Sequence, residues 1–324
     1  MQSTRALVGI CAALLAVTHF EHAAFAQQYP AKPVRMIIPF PPGGGSDTMG
    51  RALAHKLEAA LGQRIVVDNR LGAAGSIGAD LVAKAAADGY TVLLGSTSEL
   101  TQYPNVNPSV PYDAVRDFAP ISLIGTVPLV LVVHPSLPVK SVQELVALAK
   151  AQPGKLNGAS SGVGSTNHLT LEMFKALAKV DILVVPFKGG SPAIASVMGG
   201  QTNMIFNTPG TLLGHVAAGK LRGLGVTSRE RVDFVELPAI AETVPGFEAT
   251  VWYGVYGPKT LPARLVQRWN ESINRYLKSP AAQTHLKRSH MIAAGGTPAD
   301  LAAFHKSETE RWGAVVKAAG IEPQ

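Results

Sequence analysis

The residues best suited to chemistry in this sequence lie in Gly- and Ser-rich loops, not in clusters of charged side chains. The first loop covers residues 39–47 and follows the apolar run 34–38. Its three consecutive glycines leave no Cβ where backbone N–H groups would approach a ligand. Ser46 or Asp47 can cap the helix that follows, and the positive end of a helix favours an anion. The loop therefore predicts a carboxylate or phosphate site; the alternative is a loop that only turns a strand into a helix.

Two named phosphate motifs do not fit this first loop. A P-loop needs Lys after its second glycine, but Arg51 follows Gly50. Residues 43–48 lack the last glycine of the dinucleotide fingerprint. The residues predict a general anion-binding loop, and no cofactor is expected.

A second loop, residues 158–168, contains the pattern G-x-S-x-G with Ser160 as candidate nucleophile. Such a nucleophile needs an immediate turn into a helix and the support of an acidic residue and a His. Residues 162–165 intervene before the predicted helix and no partner stands out, so a secreted serine hydrolase using Ser160 is only the alternative function. His168 is interpreted as a hydrogen-bonding partner of its own loop. The His, Asp and Glu residues show no metal-ligand spacing, so no metal site is predicted.

Further polar residues stand where predicted strands end. Ser96 and Thr97 follow one strand pattern and offer hydroxyls, and Asn207 follows another and offers an amide. Ligands of parallel α/β sheets lie at the carboxyl ends of strands, so these side chains are candidates for the same site. The alternatives are an ordinary polar turn at 95–98 and a helix cap at Asn207.

The elements around these loops alternate between helix and strand. Apolar residues recur at helical spacing at Met49, Leu53, Leu57 and Leu61, and a strand pattern follows at 65–68. The alternation continues along the chain and predicts an α/β fold with parallel sheets.

The length of the chain exceeds that of one ordinary core, so two domains are expected. An apolar stretch at 121–133 and an aromatic, β-branched stretch at 247–257 are predicted to carry the chain between them. The predicted organisation is a signal peptide at 1–26, a discontinuous first domain at 27–126 plus 251–324, and a second domain at 127–250.

The N-terminus has the pattern of a cleaved secretory signal, with Arg5, an apolar run at 6–17, and Ala-Phe-Ala at 24–26 before Gln27. Nothing later approaches the roughly 18 apolar residues of a membrane span. Cys11 is the only cysteine and falls within the signal, which excludes disulfides and thiol catalysis in the mature chain. The net charge of +7 comes from dispersed Lys and Arg residues, so a nucleic acid partner is not expected.

Short motifs lie in one register over nearly the whole mature chain. They are Tyr29-Pro30 with Pro33-Val34-Arg35, the loop 39–47, Asn69-Arg70 with Gly72 to Gly78, Asp88-Gly89-Tyr90-Thr91, Pro111-Tyr112-Asp113 with Asp117-Phe118-Ala119-Pro120, Ser160 to His168-Leu169, Pro186-Phe187-Lys188-Gly189, and Gly199-Gly200-Gln201. Together they resemble the Bug proteins, the periplasmic solute-binding components of tripartite tricarboxylate transporters. The chain departs from the family pattern at Leu71 (usually Pro), Val185 (commonly His), Phe187 (usually Tyr) and Glu99 (more often a small polar residue).

The resemblance implies the two-domain α/β fold of type II periplasmic binding proteins, which closes on a small ligand like a Venus flytrap. It implies a periplasmic monomer that captures a small carboxylate for the membrane components of a tripartite tricarboxylate transporter, or for sensing, without catalysing a reaction. Backbone N–H groups and hydroxyls of the two loops would hold the carboxylate. The residues expected to bind the ligand are Phe40, Pro42, Gly43, Gly44, Gly45, Ser46, Asp47, Ser96, Thr97, Ser160, Ser161, Gly164, Ser165, Thr166, His168 and Asn207.

Overall fold

The structure is a computed structural model that describes residues 29–43 and 45–321. The predicted signal peptide, Gln27 at the predicted mature start, and Gly44 of the first loop lie outside the described residues. Within the described ranges, no helix combines the length and the apolar character that crossing a bilayer requires.

Strands and helices alternate along most of the described chain. The strands are β1 (Val34–Ile38), β2 (Ile65–Asn69), β3 (Thr91–Ser96), β4 (Phe118–Pro128), β5 (Val130–Val133), β6 (Asn157–Ser160), β7 (Leu183–Pro186), β8 (Met204–Asn207), β9 (Arg222–Val226), β10 (Thr250–Pro258) and β11 (Ile292–Gly295). The helices are α1 (Gly45–Leu61), α2 (Ser76–Ala83), α3 (Tyr103–Val106), α4 (Val142–Ala151), α5 (Thr166–Ala178), α6 (Gly190–Met198), α7 (Pro209–Ala217), α8 (Ala263–Leu277), α9 (Pro280–Arg288) and α10 (Pro298–Ala318). Single 3₁₀ turns lie at Ala73–Gly75 and Ile240–Glu242, and a π-helical turn lies at Ser98–Gln102.

The first sheet has the strand order β11-β4-β10-β3-β1-β2. β1 pairs in parallel with β2 and β3, whereas β10 is antiparallel to both β3 and β4, and β11 is antiparallel to β4. The prediction of a parallel sheet is therefore wrong for β10 and β11. β10 runs the other way because the chain re-enters this sheet from the second one.

The second sheet has the strand order β7-β6-β8-β5-β9. β6 is parallel to β7 and β8, whereas β5 is antiparallel to β8 and β9. The chain enters this sheet where β4 passes through Leu129 into β5, and it leaves through residues 227–249 into β10. Each sheet with its helices forms one lobe, and we propose 27–126 plus 251–324 and 127–250 as the corresponding domains.

The C-terminal helix α10 packs against both lobes. Leu301 lies in the core of the first lobe, whereas Trp312 and Val316 lie in the core of the second. The second half of α10 therefore stabilises a lobe to which the proposed division does not assign it.

Helix α1 positions the first loop. Met49, Leu53, Leu57 and Leu61 repeat at helical spacing, are at most 2% exposed, and pack in the core of the first lobe. This buried face fixes the helix, so its N-terminus at Gly45 is held beside the carboxyl end of β1.

Candidate ligand-binding site

A cleft of about 720 Å³ lies between the two lobes. Its volume falls within the roughly 300–1,000 Å³ that is usual for small-molecule sites. The first lobe and the crossing strands contribute Phe40, Ser46, Ala74, Ser96, Ser98, Tyr103, Val106, Asn107, Leu129, Val251 and Tyr253. The second lobe contributes Ser161, Gly162, Val163, Gly164, Ser165, Thr166, Asn167, Gly190, Asn207 and Thr208.

None of the described residues lining this cleft is an Asp, Glu, Lys, Arg or His. The N-termini of four described helices open onto it instead, with Ser46 in the first turn of α1, Ser165 and Thr166 at the start of α5, Gly190 at the start of α6, and Thr208 before α7. The first N–H groups of a helix have no partner inside the helix, and the helix dipole places about half a positive charge there. The cleft can therefore bind an anion without a cationic side chain.

The second loop is fixed by hydrogen bonds among its own residues. The Asn167 amide donates to Ser161 Oγ at 2.7 Å, and Ser161 N–H donates back to Asn167 Oδ1 at 3.0 Å. Ser165 caps α5 by accepting from His168 N–H. Gly164 has a φ of 74°, in the left-handed region that favours glycine. These contacts hold the loop open toward the cleft.

His168 supports this loop from behind and does not line the cleft. Its Nδ1 accepts from Gly164 N–H at 2.9 Å, which places the ring proton of neutral His168 on Nε2. Burial lowers the pKa of His168, while Glu172 acts in the opposite direction. His168 therefore stabilises the second loop and is not part of the cleft lining.

Asp47 organises the first loop. Its carboxylate accepts from Gly43 N–H at 2.9 Å, from Arg51 Nε at 2.9 Å and from Asn69 Nδ2 at 3.0 Å. Burial opposes ionisation of Asp47, but the hydrogen bonds from these groups hold its pKa below the usual value. The prediction that Ser46 or Asp47 caps α1 is wrong, because the helix already begins at Gly45 and both residues lie in its first turn.

The end of β3 divides its hydroxyls between two roles. Thr97 is fully buried, and its Oγ1 accepts from Trp252 N–H at 2.7 Å. Thr97 therefore ties β10 to β3 and does not line the cleft, contrary to its expected contact with the ligand. Ser96 does line the cleft, and its hydroxyl lies 2.7 Å from the buried carboxyl of Glu99.

The structure does not assemble a nucleophile around Ser160. This residue ends β6, is 0% exposed, and its hydroxyl has no hydrogen-bond partner among the described residues. Helix α5 begins only at Thr166, so the sharp strand-to-helix turn of a nucleophile elbow is missing from this part of the chain. The geometry gives Ser160 neither an activating base nor access to a substrate.

Asn207 lies at the end of β8 and lines the cleft. Its Oδ1 accepts from Thr208 N–H at 2.8 Å, which leaves its amide NH₂ as the group available to a ligand. The alternative that Asn207 caps the next helix is wrong, because Thr208 holds the N-cap position of α7.

The predicted site residues separate into groups by position. Those that line the cleft are Phe40, Ser46, Ser96, Ser161, Gly164, Ser165, Thr166 and Asn207. Those outside its lining are Pro42, Gly43, Asp47, Thr97, Ser160 and His168. Gly45 begins α1, and Gly44 lies outside the described residues.

The sequence did not predict a segment of the first lobe that contacts the second lobe. Tyr103, Val106 and Asn107 follow the π-helical turn of the first lobe and line the cleft, and Val106 also packs in the core of the second lobe. A further link joins Thr166 Oγ1 to Gln102 Oε1 at 2.7 Å. The local sequence, with Tyr, Asn and Pro in a short polar stretch, gives no periodic pattern from which this contact could be inferred.

A larger groove of about 1530 Å³ lies on the other face of β10. Thr250 lines this groove and Val251 lines the cleft, as expected for neighbouring residues of a strand. Its lining carries charges of both signs: the acidic residues are Glu230, Asp233, Glu248 and Glu271, and the basic residues are Arg229, Arg231, Arg275, Lys278 and Lys287. The smaller cleft is the better candidate for an anion site, because the N-termini of four described helices open onto it.

The sequence is similar to those of known proteins over most of its length. A family profile described as "Tripartite tricarboxylate transporter family receptor" matches residues 49–321. Protein BugT of Bordetella pertussis is 38% identical over 325 aligned positions, which cover 99% of this chain and 99% of BugT.

Solved structures are similar over most of both chains. Rpa4515 of R. palustris, solved with adipate, gives a TM-score of 0.80 at 35% identity and covers 91% of this chain and 100% of that one. MatC from Rhodopseudomonas palustris, with bound malate, gives a TM-score of 0.75 at 29% identity and covers 89% of this chain and 100% of that one. The fold is thus the two-domain type II fold of periplasmic binding proteins, and the resemblance to the Bug proteins is confirmed. The chain belongs to the tripartite tricarboxylate transporter receptor family, the periplasmic solute-binding proteins that include the Bug proteins.

Proposed function

We propose that this protein captures a small metabolite with at least one carboxylate in the cleft between its lobes. It does so in the periplasm, after removal of the signal peptide at 1–26, and passes the ligand to the membrane components of a tripartite tricarboxylate transporter or to a sensing partner. The observation that carries the proposal is the convergence of four helix N-termini on a cleft whose described lining has no charged side chain.

The N–H and hydroxyl donors of this cleft replace the hydrogen bonds that a carboxylate loses when it leaves water. A hydrogen bond to a charged group contributes about 1.5–3 kcal/mol, so a few N–H and hydroxyl donors are sufficient for tight binding. No acidic side chain of the described lining repels the ligand. The net charge of +7 adds a weak long-range attraction for anions.

The apolar part of the lining suits the remainder of such a ligand. Phe40, Tyr103, Leu129, Val251 and Tyr253 place rings and aliphatic groups beside the polar loops. Adipate and malate, found with the related structures, are both dicarboxylates and differ in polarity and length between the carboxylates. The ligand is therefore a carboxylate, and the mixed polar and apolar lining determines which remainder of the ligand fits.

Ligand identity can be tested without a prior guess. We expect mass spectrometry of the purified protein to find a co-purifying carboxylate, and calorimetric titration of the stripped protein with that compound to give saturable 1:1 binding. Co-purification and binding of only neutral or cationic compounds would contradict the proposal.

We further propose binding without turnover. Because the Ser160 hydroxyl is buried and no base among the described residues contacts it, a fluorophosphonate probe is expected to leave the protein unlabelled. Ester and amide substrates are expected to remain intact after incubation. Covalent labelling of Ser160, lost in Ser160→Ala, would establish a serine hydrolase in place of a binding protein.

The two chain crossings predict closure of the lobes on the ligand. Leu129 and Val251 lie in these crossing segments and line the cleft, so a ligand contacts both lobes and the region between them. Small-angle scattering is expected to show a smaller radius of gyration after addition of the ligand identified above, with a mass that corresponds to a monomer. Superimposable curves at saturating ligand would show that the lobes do not close.

A further inference from the structure

A buried carboxyl group lies directly behind the cleft. Glu99 belongs to the π-helical turn and is 0% exposed. Ser96 N–H donates to Glu99 Oε1 at 2.5 Å, and Ser96 Oγ lies 2.7 Å from Glu99 Oε2. Ser96 itself lines the cleft, so this residue connects the buried acid with the ligand space.

The surroundings of Glu99 do not neutralise its charge. Gly75 lies close to Glu99, because a Cβ added at Gly75 would be 3.1 Å from Glu99 Cβ, 3.1 Å from Pro39 Cβ and 3.2 Å from Phe40 Cζ. The titratable groups that face this region are Tyr112, whose hydroxyl donates to Glu99 O at 2.7 Å, Tyr253 and Tyr256 of β10, His305 of α10, which contacts Leu100 O at 2.9 Å, and Asp80 of α2, which is paired with Lys84 at 2.7 Å. No Lys or Arg of the described chain forms an ion pair with Glu99, so its burial as an anion is unfavourable.

The protonation state of Glu99 decides what Ser96 can offer. A serine hydroxyl has one hydrogen. An ionised Glu99 has only acceptors, so it takes the Ser96 hydrogen and leaves oxygen lone pairs toward the cleft. A protonated Glu99 accepts Ser96 N–H at one oxygen and donates its own proton from the other to Ser96 Oγ. The Ser96 hydrogen is then free to be donated to a carboxylate.

We propose that Glu99 is a positioning residue whose proton turns the Ser96 hydroxyl into a donor for the bound carboxylate, so that ligand capture is coupled to protonation of Glu99. This inference rests on the proposed function. The proton comes from solvent, and linkage requires that a ligand favouring protonated Glu99 raises the affinity of Glu99 for that proton. Affinity for carboxylate therefore falls as the pH rises through the pKa of Glu99 in the free protein.

Burial supports this coupling at an accessible pH. It raises the pKa of Glu99 to about 8, against the opposing effect of the hydrogen bonds from Ser96. The group is then largely protonated at neutral pH and becomes ionised in mildly alkaline solution. His168 and the tyrosines do not titrate in the same interval, because the pKa of His168 is lowered and those of Tyr112, Tyr253 and Tyr256 are raised.

The test is calorimetric titration with adipate and with malate, from about pH 6.5 to about pH 9.5, in buffers of different ionisation enthalpy. The number of protons taken up per ligand is expected to rise from near zero to about one across this range. Affinity should fall by up to about tenfold per pH unit above the pKa of Glu99.

Glu99→Gln provides the matched variant. Its amide can accept from Ser96 N–H and donate to Ser96 Oγ, which reproduces protonated Glu99 without a titratable proton. The variant should bind with nearly constant affinity and no proton uptake over the same range, whereas Ser96→Ala should bind more weakly than the parent at about pH 6.5, where protonated Glu99 leaves the Ser96 hydrogen free for the ligand. If Glu99 had only a structural role, the affinity of Glu99→Gln would keep the pH dependence of the parent.

The outcomes separate this inference from the proposed function. Binding of adipate or malate by the parent protein with no proton uptake at high pH would overturn the role of Glu99, and so would a pH dependence that persists in Glu99→Gln. The first of these results does not require the variant to fold. Failure of adipate, malate and any co-purified carboxylate to bind at about pH 6.5 would instead overturn carboxylate capture itself.

Discussion

Replacing Gly164 by valine is expected to weaken carboxylate binding by roughly ten- to hundredfold, the equivalent of losing one charge-assisted hydrogen bond. Gly164 lines the cleft at a φ of 74°, and an added Cβ would lie 3.0 Å from Val106 Cγ2. The substitution therefore strains the loop and displaces the N-terminus of α5 relative to the ligand. Calorimetric affinity and thermal unfolding of the free protein measure the two consequences separately.

Gly219→Val is the matched control for this experiment. Gly219 has a similar φ of 68°, has no atom of the described chain within 4 Å of an added Cβ, and lies outside the cleft lining. Both variants should lose about 1–2 kcal/mol of stability from a β-branched residue in the left-handed region. Only Gly164→Val should lose affinity; equal affinities in the two variants would show that the second loop does not contact the ligand.

Replacing Asp47 by alanine is expected to lower both stability and affinity. The change leaves Gly43 N–H and the Asn69 amide without their common acceptor and releases Arg51. Leaving such partly buried donors unpaired costs about 1–3 kcal/mol. Without the hydrogen bond from Gly43 N–H to Asp47, the loop before α1 is also less constrained. Thermal unfolding should therefore occur at a lower temperature, with weaker calorimetric binding of the identified ligand.

The pH dependence of this contribution follows from the sign of the pKa shift. The pKa of Asp47 is lower in the folded chain than in the unfolded chain, so ionised Asp47 stabilises the fold. Its contribution is present above the unfolded value of about 4 and is lost as the pH falls through the folded value. The stability difference between the parent and Asp47→Ala should consequently shrink in acid.

Asp300→Ala is a suitable control, because Asp300 also lies in the first turn of a helix but is exposed and is not part of the cleft lining. It should leave affinity unchanged. If Asp47→Ala kept the affinity and the unfolding temperature of the parent, Asp47 would have no role in organising the site.

Local sequence was sufficient for the parts of the site that depend on local backbone. The Gly- and Ser-rich composition of residues 39–47 and 158–168 identified two loops before helices, and both α1 and α5 begin there. The apolar spacing of Met49 to Leu61 likewise predicted the buried face of α1, since a 3.6-residue period is a property of the segment alone.

The remaining features depend on partners that are distant in the sequence. Thr97 stands at a strand end as predicted, but Trp252 occupies its hydroxyl. Asp47 lies in the right loop, but Asn69 and Arg51 determine its role. Tyr103 and Val106 reach the cleft because the lobes meet there, and no periodicity of their own segment specifies that meeting.

The most direct test of carboxylate capture compares a carboxylate with its uncharged isostere. The purified, stripped protein is titrated with adipate and malate and with the corresponding diamides, which have the same length and no negative charge. Because the described cleft offers helix N-termini and hydroxyls, we predict that at least one dicarboxylate binds and that its diamide binds at least about a hundredfold more weakly. Equal binding of a dicarboxylate and its diamide, or no binding of adipate, malate or any co-purified carboxylate, would contradict the assignment of this cleft as a carboxylate site.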